Sequence, residues 1–110
     1  MNEQEAREKI AQYQNLQQQM QTLMVQKETM QMQLIETDKT IEELDKVKDE
    51  KVYKISGQIM ISKTADEAKS ELNETKEAIE IRLQSIEKNE EKITARVKEL
   101  ENELKKLMEK

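Results

Sequence analysis

Histidine, cysteine and proline are absent from this 110-residue chain, and Gly57 is its only glycine. Without histidine there is no side chain tuned for proton transfer near neutral pH and no imidazole metal ligand. Without cysteine there are no disulfides and no thiolate metal sites. Aromatic residues number two, Tyr13 and Tyr53, and Leu, Ile and Val together number 23. That is too little large apolar volume to fill a monomeric globule, and it is close to the level at which a charged chain stays disordered. No apolar run approaches the roughly 20 residues of a membrane span. The N-terminus, Met1-Asn2-Glu3-Gln4-Glu5, lacks the charged-then-apolar pattern of a signal peptide, so the expected location is the cytoplasm. Net charge is −5 and the Lys and Arg residues are interspersed with Glu. Nucleic-acid binding needs clustered positive charge, which this chain does not have. No nucleophile–base pair and no phosphate-cradling glycine loop is present. No catalytic residue, metal or cofactor is therefore expected, and the chain does not read as an enzyme. Carboxylate pairs such as Glu42-Glu43 and Glu90-Glu91 read as solvated helix faces with lysine partners.

What is abundant is Ala, Glu, Lys, Leu and Arg, about half of the chain, which is a coiled-coil composition when the spacing is regular. The spacing is regular. A seam stepping alternately by three and four runs through Ala6, Lys9, Tyr13, Leu16, Met20, Leu23, Lys27, Met30, Leu34, Thr37, Ile41 and Leu44. A second runs through Ala65, Lys69, Leu72, Lys76, Ile79, Leu83, Ile86, Glu90, Ile93, Val97, Leu100, Leu104 and Leu107. Such spacing over more than five heptads implies a left-handed supercoil. Two arms of about 45 residues, each roughly 65–70 Å long as a helix, can pair antiparallel and bring both termini together. Glu90 lies on the seam, where a Lys or Gln of the facing helix is its expected partner.

Between the arms, residues 52–63 are rich in β-branched side chains around Ser56-Gly57-Gln58. This is a hairpin signal, with Gly57 supplying the positive φ of a tight turn. Tyr53, Ile55, Ile59 and Ile61 are odd-numbered and are expected to share a strand face, subject to the register of the turn. Thr64-Ala65-Asp66-Glu67 fits a capping box opening the second helix. An isolated two-stranded hairpin is marginal in water and leaves two edges unpaired. This one carries Val52, Tyr53, Ile55, Ile59, Met60 and Ile61, so it is expected to join hairpins of other subunits in a shared sheet or barrel. The fold class is thus mainly α: an antiparallel two-helix coiled coil with a small β-hairpin at the bend that joins a multi-subunit sheet or β-barrel. The whole chain, 1–110, reads as a single domain with a helix over 3–49, a hairpin over 52–63 and a helix over 65–109.

Two further sets of residues are candidates for contact with partners. Met20 and Met30 suit seam packing. Met24 and Met32 lie off the seam in a glutamine-rich stretch, where flexible thioethers suit adaptable apolar contact. Tyr13, Leu16, Leu100, Leu104, Leu107 and Met108 lie toward the shared tip, where they either close the coil or, if it frays, meet apolar segments of a partner. Ile10, beside the seam, can face outward.

The run Val52-Tyr53-Lys54-Ile55-Ser56-Gly57-Gln58-Ile59-Met60-Ile61 between two matched arms resembles the β class of prefoldin subunits, as do Val25-Gln26-Lys27 and Glu43-Leu44. A single hairpin is similar to the β class; the α class carries two. The resemblance implies an ATP-independent holdase, a hexamer of two α-class and four β-class subunits. Its hairpins form a double β-barrel, and the tips of its coiled coils hold non-native polypeptides and pass them to a group II chaperonin. On that resemblance Val52, Tyr53, Ile55, Gly57, Ile59, Met60 and Ile61 are assembly residues. Ile10, Tyr13, Leu16, Leu100, Leu104, Leu107 and Met108 are client-binding residues of the tip. The other reading of the same pattern is a structural coiled coil that homodimerises, its hairpin only a bend.

Overall fold

The computed structural model describes residues 3–48 and 51–109. Their order is helix α1 (Glu3–Lys46), strand β1 (Lys51–Ser56), strand β2 (Ile59–Thr64) and helix α2 (Ala65–Met108). Both helices have 44 residues. Each has acidic residues in its first turn, Glu3 and Glu5 in α1 and Asp66 and Glu67 in α2. Each has basic residues in its last turn, Lys46 in α1 and Lys105 and Lys106 in α2. Both placements complement the helix dipole. α1 stops three residues short of the expected end at 49, which lies outside the described residues. The Val47 amide donates to the Leu44 carbonyl at 3.2 Å, an i→i+3 bond that tightens the final turn. The strands reach one residue beyond the expected hairpin at each end. α2 opens as its capping signal implies, with the Glu67 amide donating to Thr64 Oγ1 at 3.1 Å. Thr64 is therefore both the last residue of β2 and the N-cap of α2.

The chain divides into two compact units, a terminal unit of residues 1–28 and 84–110 and a hairpin unit of residues 29–83. In the terminal unit the two helix segments run antiparallel: Lys9 lies 2.5 Å from Glu103, Arg96 donates to Gln12 at 3.2 Å, and Lys27 lies 3.5 Å from Glu90. In the hairpin unit the same sense follows from Asp38–Lys76 at 2.8 Å and Asp45–Lys69 at 2.9 Å.

Burial follows the three-four seam in both units. Every seam residue of α1 and α2 is buried or half-buried, while nearly all residues between them are exposed. The most enclosed apolar side chains are Ile79 in the hairpin unit and Ile86 and Leu100 in the terminal unit, with Leu100 fully buried. Thr37, also buried, donates its hydroxyl to the Gln33 carbonyl of its own helix at 2.7 Å, so no polar atom is stranded there. The seam is one side chain wide, and its charged members are all paired across the helices. Lys9 meets Glu103, Lys27 meets Glu90, Lys69 meets Asp45 and Lys76 meets Asp38. Near-surface pairs of this kind add only about 0–1 kcal/mol each, Lys27–Glu90 differing in that Glu90 Oε1 is buried. Their larger effect is on alignment, because a sliding coil would leave half-buried charges without partners.

Candidate functional surfaces

The hairpin is built by a two-residue loop. Ser56 pairs with Ile59 and Ile55 with Met60, and only Gly57 and Gln58 lie between the strands. Gly57 has φ of 60°, and among the described residues no non-glycine residue has a positive φ. A positive φ at the first loop residue and none at the second is the type II′ pattern, which matches the twist of an antiparallel pair. A Cβ at Gly57 would meet nothing within 4 Å, so backbone conformation alone calls for glycine.

That loop length corrects the expected face assignment. Tyr53 pairs with Ser62, Ile55 with Met60, Lys54 with Ile61 and Val52 with Lys63. Directly paired residues of an antiparallel ladder point to the same side. One face therefore carries Tyr53, Ile55, Met60 and Ser62, and the other Val52, Lys54, Ile59, Ile61 and Lys63. Tyr53 and Ile55 do not share a face with Ile59 and Ile61, because a two-residue loop joins odd positions of β1 to even positions of β2. Both faces are apolar as a result. Ile55 is 74% exposed, Ile59 65%, Met60 64% and Tyr53 62%. Among the described residues the sheet has two strands, so neither outer edge is paired.

At its base the second face meets α2. Lys54 of β1 and Lys63 of β2 both reach the carboxylate of Glu71, Lys54 at 3.6 Å and Lys63 through a hydrogen bond from Nζ. The Lys63 hydrogen bond is the main reason that the Glu71 carboxyl titrates below its ordinary range, with the nearby Lys63 and Lys54 charges adding to it. Val52 is half-buried here, beside a 300 Å³ cavity whose walls include Leu44, Ala68 and Leu72. Nothing in the sequence singled out Glu71, since its role depends on a strand register that the sequence does not state.

The terminal unit holds the other candidate residues. Leu100 has no exposed surface and belongs to the seam core. Tyr13, Leu16, Leu104 and Leu107 are half-buried along the seam, and Ile10 and Met108 point outward at 45% and 86% exposure. The Tyr13 hydroxyl donates to Glu101 at 3.2 Å and accepts from Gln17 at 2.9 Å. Desolvation, then the Glu101 carboxylate, hold that hydroxyl above its ordinary pKa. Lys9 is hydrogen-bonded to Glu103, which is the first reason the Glu103 carboxyl titrates low, with Arg96 and Lys106 adding to it. Among the described residues the α1 seam offers Ala6 and the Lys9 stem at this end, and Leu104 and Leu107 stay half-buried. Met20 and Met30 are half-buried in the seam, whereas Met24 and Met32 are 51% and 63% exposed.

Among the described residues no group of acidic side chains is arranged to hold a metal ion, and no helix is long and apolar enough to cross a membrane.

Two long helices joined by a short, two-sided apolar hairpin define a coiled-coil hairpin protein. A family model described as prefoldin subunit matches residues 7–110. The prefoldin subunit beta of Archaeoglobus fulgidus is 38% identical over 100 residues, covering 90% of this chain and 86% of that protein. That of Methanosarcina acetivorans is 38% identical over 96 residues, covering 86% and 82%. A crystal structure of the prefoldin beta subunit from Thermococcus strain KS-1 matches with a TM-score of 0.85 at 32% identity, over 94% of this chain and 91% of that one. The chain belongs to the prefoldin subunit family, in its β class.

Proposed function

We propose that this chain is the β-class subunit of an ATP-independent holdase. In this reading four copies assemble with two α-class subunits through their hairpins, which join in a shared β-barrel. The ends of the coiled coils capture non-native polypeptides in the cytoplasm and deliver them to a group II chaperonin. The observation that carries the reading is the hairpin: four large apolar side chains, each more than 60% exposed and spread over both faces, on a sheet with open edges. Burying each fully is worth about 1.5–3 kcal/mol, which this chain cannot gain alone. Val52, Tyr53, Ile55, Ile59, Met60 and Ile61 are the contact residues of assembly, and Gly57 shapes the turn that presents them.

At the other end, Ile10, Tyr13, Leu16, Leu104, Leu107 and Met108 supply weak apolar contact to a client, and Leu100 holds the seam beneath them. Several arms on one client gain by effective concentration what each lacks in affinity. The reading asks for no bond-making chemistry.

The test is native mass spectrometry of the chain mixed with an α-class prefoldin subunit, followed by light scattering of a diluted, denatured client. The expected result is a hexamer of four copies and two partners that suppresses aggregation, lost on Ile55→Lys or Ile59→Lys. A homodimer that ignores the α-class subunit and leaves aggregation unchanged would point to the scaffold reading.

A further inference from the structure

The hairpin meets α2 at its base, through Glu71. Its two faces are similarly apolar at the loop end, where Ile55, Met60 and Ile59 are 74%, 64% and 65% exposed. They differ at the base. Lys54 and Lys63 come from different strands but lie on one face, and both converge on Glu71 of α2. The Lys63 side chain is 18% exposed, against 57% for Lys54, so β2 supplies the more enclosed member. The same face holds half-buried Val52 and Ile61, whose 42% exposure is the lowest among the apolar residues exposed on the hairpin.

We propose that Glu71 is a positioning residue for assembly: by bridging Lys54 and Lys63 it holds the base of the hairpin at Val52 against α2 and so sets the orientation in which the exposed loop-end residues Ile55, Ile59 and Met60 meet a partner subunit. One carboxylate with a cation from each strand restrains both the hinge and the roll of the hairpin, which a single ion pair would not do. The orientation of the hairpin is thereby set before any partner arrives, and partner binding does not have to select it from a mixture. Only the effect on affinity rests on assembly through the hairpin; the restraint itself does not.

Because the chain has no cysteine, two can be introduced without background. Spin labels at Gln58→Cys in the loop and Glu77→Cys on exposed α2 report hairpin orientation as a distance distribution in the full chain. The unmodified clamp is expected to give a narrow distribution, and Glu71→Gln a broad one. The charge-swapped chain, Glu71→Lys with Lys54→Glu and Lys63→Glu, is expected to be narrow again. Affinity for an α-class subunit is expected to weaken about three- to tenfold in Glu71→Gln, through the smaller fraction of correctly turned hairpins, and to recover in the swapped chain. Circular dichroism checks that helix content is unchanged. An unchanged distribution in Glu71→Gln overturns the proposal, and so does a broadened distribution with unchanged affinity. If the unmodified chain does not associate at all, the assembly reading fails while the distances still judge the clamp.

Discussion

Removing Lys27 is expected to destabilise the coil more than removing Glu90, although the two form one pair. Both are seam residues, with side chains 30% and 22% exposed and charged atoms 3.5 Å apart. Glu90 Oε1 is buried and accepts no hydrogen bond. In Lys27→Leu that oxygen loses its cation while remaining beneath the seam. An unsatisfied buried acceptor costs about 1–3 kcal/mol, more if charged. The added leucine offsets part of this by burying about two further methylene equivalents, at about 0.8 kcal/mol each. Because the stranded oxygen belongs to a carboxylate, the penalty lies at the upper end of that range, and the net is a loss of about 1 kcal/mol. In Glu90→Leu the stranded group is Lys27, whose four-carbon stem can carry its ammonium out to water. That variant is expected to be neutral or slightly more stable. The double variant puts leucine against leucine and is expected to gain about 1–2 kcal/mol, since replacing a buried pair by apolar residues is often stabilising. The double variant should also pair less selectively in register, as leucine has no preferred partner. The assay is thermal unfolding by circular dichroism at one fixed protein concentration, where 1 kcal/mol moves the midpoint by about 4 °C. If Lys27→Leu proves as stable as the double variant, Glu90 is not stranded and the burial argument is wrong.

Four other outcomes are expected. Leu100→Ala, at a fully buried site, should cost about 2–5 kcal/mol, read as a lower urea midpoint; a change below 0.5 kcal/mol would show that the seam collapses around the gap. Met108→Ala should leave that midpoint within about 0.5 kcal/mol but reduce suppression of client aggregation, since its side chain is 86% exposed; equal suppression would remove it from the client surface. Gly57→Ala should cost roughly 1–2 kcal/mol through its positive φ alone, and Gly57→Asn less, both read by unfolding of the assembled form; an alanine variant as stable as the parent would contradict the turn assignment. The midpoint should also be flat between about pH 6 and 9 and fall on both sides. Glu71 and Glu103 titrate low, chiefly through hydrogen bonds from Lys63 and Lys9, so their contribution is present above the ordinary value of 4.5 and is lost as pH falls through the folded values. Lys69 and Lys76 titrate high, chiefly through hydrogen bonds to Asp45 and Asp38, so theirs is complete below 10.5 and is lost as pH rises through the folded values. A step near pH 6–7 would require a group this histidine-free chain does not have.

The seam was legible down to single residues because helical periodicity depends only on spacing, and even Lys9, Lys27, Lys69 and Lys76 sit half-buried where the three-four count puts them. The pairing of Glu90 with a facing lysine was legible for the same reason. The Thr64 cap was legible because its chemistry is local. The end of α1 was not: no glycine or proline marks the stop after Lys46. Face assignment in the hairpin failed on one unknown, the number of loop residues, since each added or removed residue exchanges the faces of one strand. Everything dependent on that register was hidden too, including the convergence of Lys54 and Lys63 on Glu71. The outward set of Ile10 and Met108 lay within reach of the seam count, which leaves both off the packed positions.

On the assembly proposed above, the exposed hairpin makes the supply of partners a matter of cellular dosage. A copy made in excess of its complement carries open strand edges and bare isoleucines on both sides, the two features that template aggregation. Such a copy is itself a client for the quality-control machinery. Production of this chain in step with the subunits proposed to cover its hairpin would then be a condition of its own survival, and an imbalance in their synthesis would surface as loss of whichever chain was left uncapped.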